Sequence, residues 1–113
     1  MKYLCLVYLE EDKLRAVPDS ECVTCGEGFR KSGLLLAAEA LQPVETAATV
    51  RVRSGKVLIT DGPFAETKEH LAGFYLIDVA DLDEAVAWAA RVPDAAYTKV
   101  EVRPVLDMST WEQ

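Results

Sequence analysis

The sequence is poor in the residue types on which several classes of protein depend. Its 113 residues include only three cysteines and one histidine, and twelve basic residues stand against nineteen acidic ones. Three cysteines are too few for a disulfide framework and are typical of free thiols in a reducing compartment. The net charge of −7 repels phosphate backbones and anionic lipid headgroups, so we expect no nucleic-acid partner and no membrane binding.

Long apolar runs are also missing. The longest runs, such as Leu34–Ala38, are far shorter than the roughly 20 residues that cross a bilayer, and the first residues lack the pattern of a secretion signal. We therefore expect a cytoplasmic protein. Half of the residues are apolar and 27% are charged, which is the composition of an ordinary globular chain rather than a disordered one. The length predicts one domain, residues 1–113.

Alternation of side-chain polarity predicts the strands. Lys2–Leu9 and Leu71–Val79 are apolar at both alternating sets of positions, as in strands that are covered on both faces of a sheet. Thr46–Arg53 and Thr98–Val105 alternate apolar with polar residues, which is typical of strands with one face in water. Leu34–Ala40 fits either a short buried strand or a helical turn.

A tight hairpin is predicted at Ser54-Gly55, where a two-residue turn follows one alternating segment and precedes another. Counting outward from that turn pairs residues 48–53 with residues 61–56 in reverse order. This register places Arg51, Arg53 and Lys56 on one face of the hairpin and Asp61 on the other.

Two segments carry helix signals. The first helix begins with capping residues at Asp19 and Ser20 and runs to about Lys31. The second begins at Asp81–Glu84, where an Asp precedes a Glu by three residues, and ends at Pro93. Helical spacing predicts that the second helix buries one apolar stripe. That stripe consists of Leu82, Ala85, Val86, Ala89 and Val92.

The order strand, helix, strands, helix, strand predicts an α+β, ferredoxin-like sandwich with an antiparallel sheet and both helices on one face. Two helices cover only one side, yet Lys2–Leu9 and Leu71–Val79 are apolar on both. Leaving three or four large side chains in water costs several kcal/mol at about 25 cal/mol per Å². We therefore expect a homodimer in which the bare sheet faces pack about a twofold axis.

A specific resemblance lies in the fifteen residues DGPFAETKEHLAGFY, from Asp61 to Tyr75. They resemble the signature of the YCII-related family, and in particular its DGPF subgroup. The blocks ATVR at residues 48–51, LDEA at 82–85 and EVRP at 101–104 extend the resemblance. It implies a dimeric, ferredoxin-like α+β barrel in a family largely without assigned function, whose members often lie beside genes for extracytoplasmic-function sigma factors.

Some wider relatives of that family resemble small-molecule enzymes that use a His and Asp pair, with the His in the first helix region. Residues 18–31 of this sequence contain no histidine. The residues of that chemistry are therefore not carried over to this chain.

Asp61 and His70 are the candidate catalytic residues. Asp61 ends a strand before a Gly-Pro break, where its carboxylate either caps its own loop or acts as a base or anion partner in a pocket roofed by Phe64. Histidine is the side-chain type that exchanges protons near neutral pH, and His70 begins the next strand. The two residues either form a proton-transfer pair, or His70 is a polar surface residue.

Arg51 and Lys68 are candidates for holding an anionic substrate, with solvated polar positions as the alternative. Cys22 and Cys25 have the C-x-x-C spacing of redox and metal sites, but only Cys5 remains to join them. A zinc site needs four ligands, so we expect no metal and interpret both thiols as buried packing residues of the first helix.

Two functions follow. The first is binding or transformation of a small metabolite by cofactor-independent acid–base chemistry near Asp61 at the dimer interface, with His70 as proton carrier and Arg51, Phe64 and Lys68 around the substrate. The alternative is a non-catalytic regulatory or binding module whose partner is related to a sigma factor. The sequence contains no nucleophile motif and no cofactor loop, so it leaves open whether the protein is an enzyme.

Overall fold

The computed structural model describes residues 1–10, 19–63, 68–93, 95 and 99–108, with backbone alone at residues 19–25. None of the helices in these residues is long and apolar enough to span a membrane. The elements are β1 (Lys2–Leu9), α1 (Asp19–Ser32), β2 (Leu35–Ala40), β3 (Ala48–Arg53), β4 (Lys56–Asp61), β5 (His70–Asp78), α2 (Leu82–Ala89) and β6 (Lys99–Pro104).

Four strands form one antiparallel sheet in the order β2-β5-β1-β6. The two strands that are apolar at both alternating sets, β1 and β5, occupy its centre, as predicted. The two helices form the connections from β1 to β2 and from β5 to β6. This is the ferredoxin-like α+β fold expected from the order of elements, with the β3–β4 hairpin inserted between β2 and β5.

The core lies between the sheet and the helices. One alternating set of β1, which includes Tyr3, Cys5 and Val7, is buried there together with residues of both helices. Phe29 of α1 is fully buried, and its ring centroid lies 4.9 Å from those of both Tyr75 and Trp88. Because β1, α1 and α2 contribute to the same cluster, both helices cover the same face of the sheet.

The other sheet face carries the second alternating set of β1. Leu4 pairs with Leu76, and Leu6 pairs with Phe74 in the neighbouring strand. These four side chains are half-buried rather than buried, and they lie outside the core cluster. We call this surface the open face. Its apolar character agrees with the expectation that the central strands are apolar on both sides.

The hairpin register is confirmed residue for residue, from Arg53 opposite Lys56 to Ala48 opposite Asp61. Ser54 and Gly55 both have positive φ angles, 53° and 75°, which is the geometry of the primed turns that join tight hairpins. The hairpin forms a two-stranded sheet of its own. All of its residues except Thr49 are exposed, and neither strand joins the four-stranded sheet. Residues 48–61 therefore extend from the body as an arm.

Three elements differ from the sequence-based expectations. Residues 35–40 form a strand, which resolves the open alternative. The strand predicted from Thr46 begins at Ala48, because Pro43 starts a single 3-10 turn that Thr46 closes by donating two hydrogen bonds to the Pro43 carbonyl. Leu82 and Val86 are each 50% exposed, so their predicted burial is wrong. The other three members of the predicted stripe, Ala85, Ala89 and Val92, are buried as predicted.

The start of α2 agrees with its capping signal. The Asp81 carboxylate accepts a hydrogen bond of 2.9 Å from the Glu84 amide, as an N-cap residue does. The Glu84 carboxylate accepts from the amide of Ala80, one residue before the cap. Together these bonds satisfy two backbone donors at the helix start.

Replacing Gly73 with alanine should destabilise the protein, because an added Cβ would lie 2.8 Å from the Glu39 carbonyl oxygen and push β2 away from β5. We expect Gly73→Ala to lower the free energy of unfolding by about 1–3 kcal/mol. Gly26→Ala is the matched control, since Gly26 lies in α1 with open space around it, and it should raise that free energy by up to about 1 kcal/mol. Urea unfolding measures both, and equal stability of the two variants would contradict the prediction.

Burial raises the pKa of the Cys5 thiol to about 11, from an ordinary value of 9.0. The folded state therefore favours the neutral thiol, and the stabilisation by Cys5 is complete below pH 9.0 and is lost as the pH rises toward 11. We expect the difference in unfolding free energy between wild type and Cys5→Ala to shrink across this interval in urea titrations. Alkylation of Cys5 in the native protein, followed by peptide mass spectrometry, should be slow at neutral pH and fast in urea. Rapid native alkylation would count against the buried thiol.

Candidate functional site

The segment that joins β2 to the arm is held against β5. The Leu41 amide donates a hydrogen bond of 2.8 Å to the Ala72 carbonyl, and the 3-10 turn Val44–Thr46 follows. Pro43 has a φ angle of −51°, which suits the start of such a turn. This segment therefore returns along the end of β5 before the arm leaves the body.

The base of the arm joins two of the blocks that carry the family resemblance. Gly62 has a φ angle of 96°, which an L side chain rarely adopts, so the second position of the DGPF tetrapeptide suits glycine. The Gly62 amide donates to the Ala47 carbonyl at 2.6 Å, and the Thr49 hydroxyl donates to the Gly62 carbonyl at 2.9 Å. These bonds close the hairpin at the residue after Asp61.

A cleft of about 440 Å³ lies between the arm and the body, and we call it the arm-base cleft. Residues 41–44 and 46–49, Pro63, His70 and Leu71 line it. Most of these side chains are apolar, and a few polar groups, including Thr49 and His70, interrupt them. An apolar cavity of this size with a few polar groups is typical of small-molecule sites.

His70 is brought into this cleft by the strand order. It is the first residue of β5 and pairs with Leu9 at the end of β1, and its side chain is half-buried. As the chain has no other histidine, His70 is the residue in the cleft wall best suited to move a proton near neutral pH.

Asp61 lies at the mouth of the same cleft. It ends β4 opposite Ala48, which lines the cleft, and cross-strand partners project from the same face of a hairpin. The Asp61 side chain is exposed and does not itself line the cavity. Of the two predicted catalytic residues, His70 therefore lines the cleft, whereas Asp61 is the cross-strand neighbour of a residue that lines it. Phe64, predicted as the roof of the pocket, and Thr67, a possible partner for Asp61, lie outside the described residues.

The predicted anion-holding residues lie elsewhere in the protomer. Arg51 is exposed on the hairpin face opposite to Asp61, as the predicted register requires. Lys68 is exposed, and its ammonium group lies 3.8 Å from the Glu10 carboxylate. Within one protomer, neither side chain lines the arm-base cleft.

A second, more open concavity of about 530 Å³ lies beside β6. Tyr8, Glu69, Lys99, Val100 and Glu101 line it. A hydrogen bond and the negative charge of Glu69 raise the pKa of Lys99, and the two groups form an ion pair. The ammonium group of Lys99 is thus already paired with the Glu69 carboxylate. An anionic ligand would have to compete with Glu69 for it, so this concavity is poorly suited to bind anions.

The residues that the structure describes contain no group of three His, Cys, Asp or Glu side chains close enough to bind one metal ion. Cys5 is buried and unpaired, whereas the side chains of Cys22 and Cys25 lie outside the description. Their interpretation as packing residues stays a prediction.

The segment of residues 41–47 is the part of the site that sequence reasoning missed. It supplies much of the cleft wall, yet none of its residues that line the cleft has an ionisable side chain. The available signal was the sequence Pro43-Val44-Glu45-Thr46, in which a proline followed by a threonine three residues later is typical of a turn rather than a strand.

Comparisons with known proteins agree with the fold described above. The family model described as the YCII-related domain matches residues 1–109. An uncharacterised protein of Rhizobium meliloti (strain 1021) is 43% identical over 98 residues, which cover 85% of this chain and 77% of that protein. A solved structure of 5-chloro-2-hydroxyhydroquinone dehydrochlorinase (TftG) from Burkholderia phenoliruptrix, in complex with 2,5-dihydroxybenzoquinone, has a TM-score of 0.61 over 97% of this chain and 98% of its own. At 10% identity, that likeness shows a shared fold.

Proposed function

The chain belongs to the YCII-related domain family, and on that premise we propose that it binds a small metabolite in the arm-base cleft and transforms it by cofactor-independent acid–base chemistry. The observation that carries the proposal is the cleft itself, a cavity of about 440 Å³ with mostly apolar walls and the only histidine of the chain in one of them. Binding sites for small molecules commonly have this size and this mixture of groups.

His70 is the proposed proton carrier, because imidazole both accepts and donates protons near neutral pH. Asp61, at the mouth of the cleft, is the proposed base or orienting carboxylate. Arg51 and Lys68 keep their proposed role of holding an anionic group of the substrate, although neither lines the cleft of its own protomer. Phe64 keeps its proposed role as the roof. The DGPF tetrapeptide that contains Asp61 and Phe64 supports placing the chain in the DGPF subgroup.

The proposed ligand is a small hydroxylated ring compound. The solved neighbour is named as a dehydrochlorinase of a chlorinated hydroxyhydroquinone and holds 2,5-dihydroxybenzoquinone, and its fold matches almost the whole of this chain. A ring of that size suits an apolar cleft with a few polar groups, which give it orientation. The alternative of a regulatory module with a sigma-factor-related partner stays a prediction that no contact or surface described above favours.

The proposed working form is a cytoplasmic homodimer joined through the open face. The half-buried Leu4, Leu6, Phe74 and Leu76 form an apolar surface that a second copy would bury about a twofold axis. The unpaired thiol of Cys5 is compatible with a reducing compartment.

Ring compounds should raise the melting temperature of the wild-type protein, because a ligand that binds only the folded state stabilises it by about 2.7 kcal/mol at 100 times its Kd. Thermal-shift assays with 2,5-dihydroxybenzoquinone and other small hydroxylated aromatics measure this effect. Val44→Trp should abolish the shift, since Val44 lines the cleft. His70→Gln should keep binding and lose turnover of any compound that the wild type converts.

Glu45→Trp is the matched control, because Glu45 is exposed and does not line the cleft. It should respond to the probes like the wild type. Equal shifts in Val44→Trp and Glu45→Trp would exclude the cleft as the binding site. If no ring compound shifts the wild-type melting temperature up to millimolar concentration, the proposed ligand class is wrong.

Sedimentation velocity should show a dimer at about tens of micromolar protein. Leu6→Glu places a charge in the middle of the open face and should raise the dimer dissociation constant by at least about tenfold. Lys31→Glu, on the exposed side of α1, should leave it unchanged, and circular dichroism verifies that both variants are folded. A wild-type monomer at these concentrations would refute the homodimer.

A further inference from the structure

The arm carries an apolar surface that its own protomer leaves in water. Val50 and Val52 of β3 and Val57 and Ile59 of β4 lie on one face of the hairpin and are 58–68% exposed. An isolated two-stranded hairpin is marginally stable, because it has no second layer on which to bury a face. Because exposed apolar patches of this kind mark interaction sites, we expect a surface of another molecule to cover these four aliphatic side chains.

Charge distinguishes the arm from the rest of the chain. The arm, residues 48–61, contains three basic residues and one acidic residue, which gives it a net charge of +2. The remaining residues contain nine basic and eighteen acidic ones, a net charge of −9. The basic residues Arg51, Arg53 and Lys56 all lie toward the tip. A basic arm thus extends from an acidic body.

The body offers surfaces with the complementary character. On α2, Leu82 and Val86 are one helical turn apart and half-exposed, although their spacing is that of a buried stripe. Asp81 and Asp83 are exposed beside them. A surface that combines exposed aliphatic groups with negative charge is what a basic, apolar arm would contact.

The described residues of the same protomer leave this face exposed, and the charge of the arm disfavours a second arm as the covering surface. Within the described part of the chain, the two arm strands pair with each other as a separate sheet. Contact between two arms would place two net charges of +2 side by side, whereas contact between an arm and a body pairs a net charge of +2 with one of −9. Opposite charges favour the second arrangement, and a nucleic-acid partner for the arm would be repelled by the body.

We propose that the arm docks by its apolar face on the acidic body of a second copy of this chain, so that each protomer of the homodimer clasps the other. This inference rests on the proposed homodimer and adds to it a second contact, distinct from the open face. The body of the partner covers the apolar arm face, and the attraction between the basic tip and the acidic body orients the docking.

Val52→Glu tests the contact, because it places a charge on the apolar arm face at a side chain that is mostly exposed in its own protomer. Thr60→Glu is the matched control, since Thr60 is exposed on the opposite face of the same hairpin. Sedimentation velocity from about 1 to 100 µM should show at least a tenfold rise in the dissociation constant for Val52→Glu. The control should change it less than twofold.

The basic tip is tested by the double variant Arg53→Glu, Lys56→Glu. It should weaken the dimer, and the wild-type dimer should weaken as the salt concentration rises from about 0.05 to 0.5 M.

A photo-reactive benzoylphenylalanine in place of Val52, in a mixture of ¹⁴N- and ¹⁵N-labelled protein, should give mixed-isotope cross-links between position 52 and residues outside 48–61.

Several outcomes would overturn the proposal. If Val52→Glu and Thr60→Glu dimerise equally while Leu6→Glu does not, the open-face dimer stands and the arm contact is wrong. Cross-links from arm to arm would exclude the body as the occupant. A third outcome is that the wild type binds short duplex DNA, that only the Arg53→Glu, Lys56→Glu variant loses this binding, and that Val52→Glu dimerises like the wild type. The arm would then bind nucleic acid rather than the partner body. A wild-type monomer would refute both dimer contacts and leave the thermal-shift test of ligand binding unaffected.

Discussion

The burial of one side of β1 beneath the two helices is the interaction on which the rest of this structure depends. Tyr3, Cys5 and Val7 fill that side, together with Phe29 of α1. Since side chains alternate along a strand, the same eight residues also present Leu4 and Leu6 to the opposite face. A strand with two apolar sides belongs in the centre of a sheet, and two helices can cover only one face of that sheet. The open face is therefore a consequence of how the core is built.

The candidate site depends on a different constraint, the closure of the arm at its base. Gly62 adopts a backbone conformation that suits glycine, and the hydroxyl of Thr49 holds its carbonyl group. This closure directs the chain back toward His70 and leaves a cavity between the arm and the start of β5. The DGPF tetrapeptide thus has a structural role at Gly62 beside the chemical role proposed for Asp61. The same closure sends the arm away from the body, with its aliphatic face exposed.

Local rules predicted the elements well wherever one interaction dominated. The register of the hairpin followed from Ser54-Gly55, because a two-residue turn leaves a single pairing. The start of α2 followed from Asp81, whose carboxylate has one geometry in which to cap a helix. The burial of Leu82 and Val86 was wrongly predicted, since helical periodicity identifies an apolar stripe but not how much of it the sheet covers. The cleft was beyond these rules, because residues 41–47 reach it only through the path of the chain around β5.

The sequence by itself determined the family, the order of the elements and the kind of each element except residues 35–40, for which it left a strand and a helical turn open. These follow from periodicity, turn chemistry and motif, which act over a few neighbouring residues. Only the tertiary structure decided that His70 lines a cleft with Thr49 and Pro63, that Arg51 does not line it, and that the arm stands clear of the body. Those facts depend on distances between residues far apart in the chain, which packing sets and no local pattern encodes.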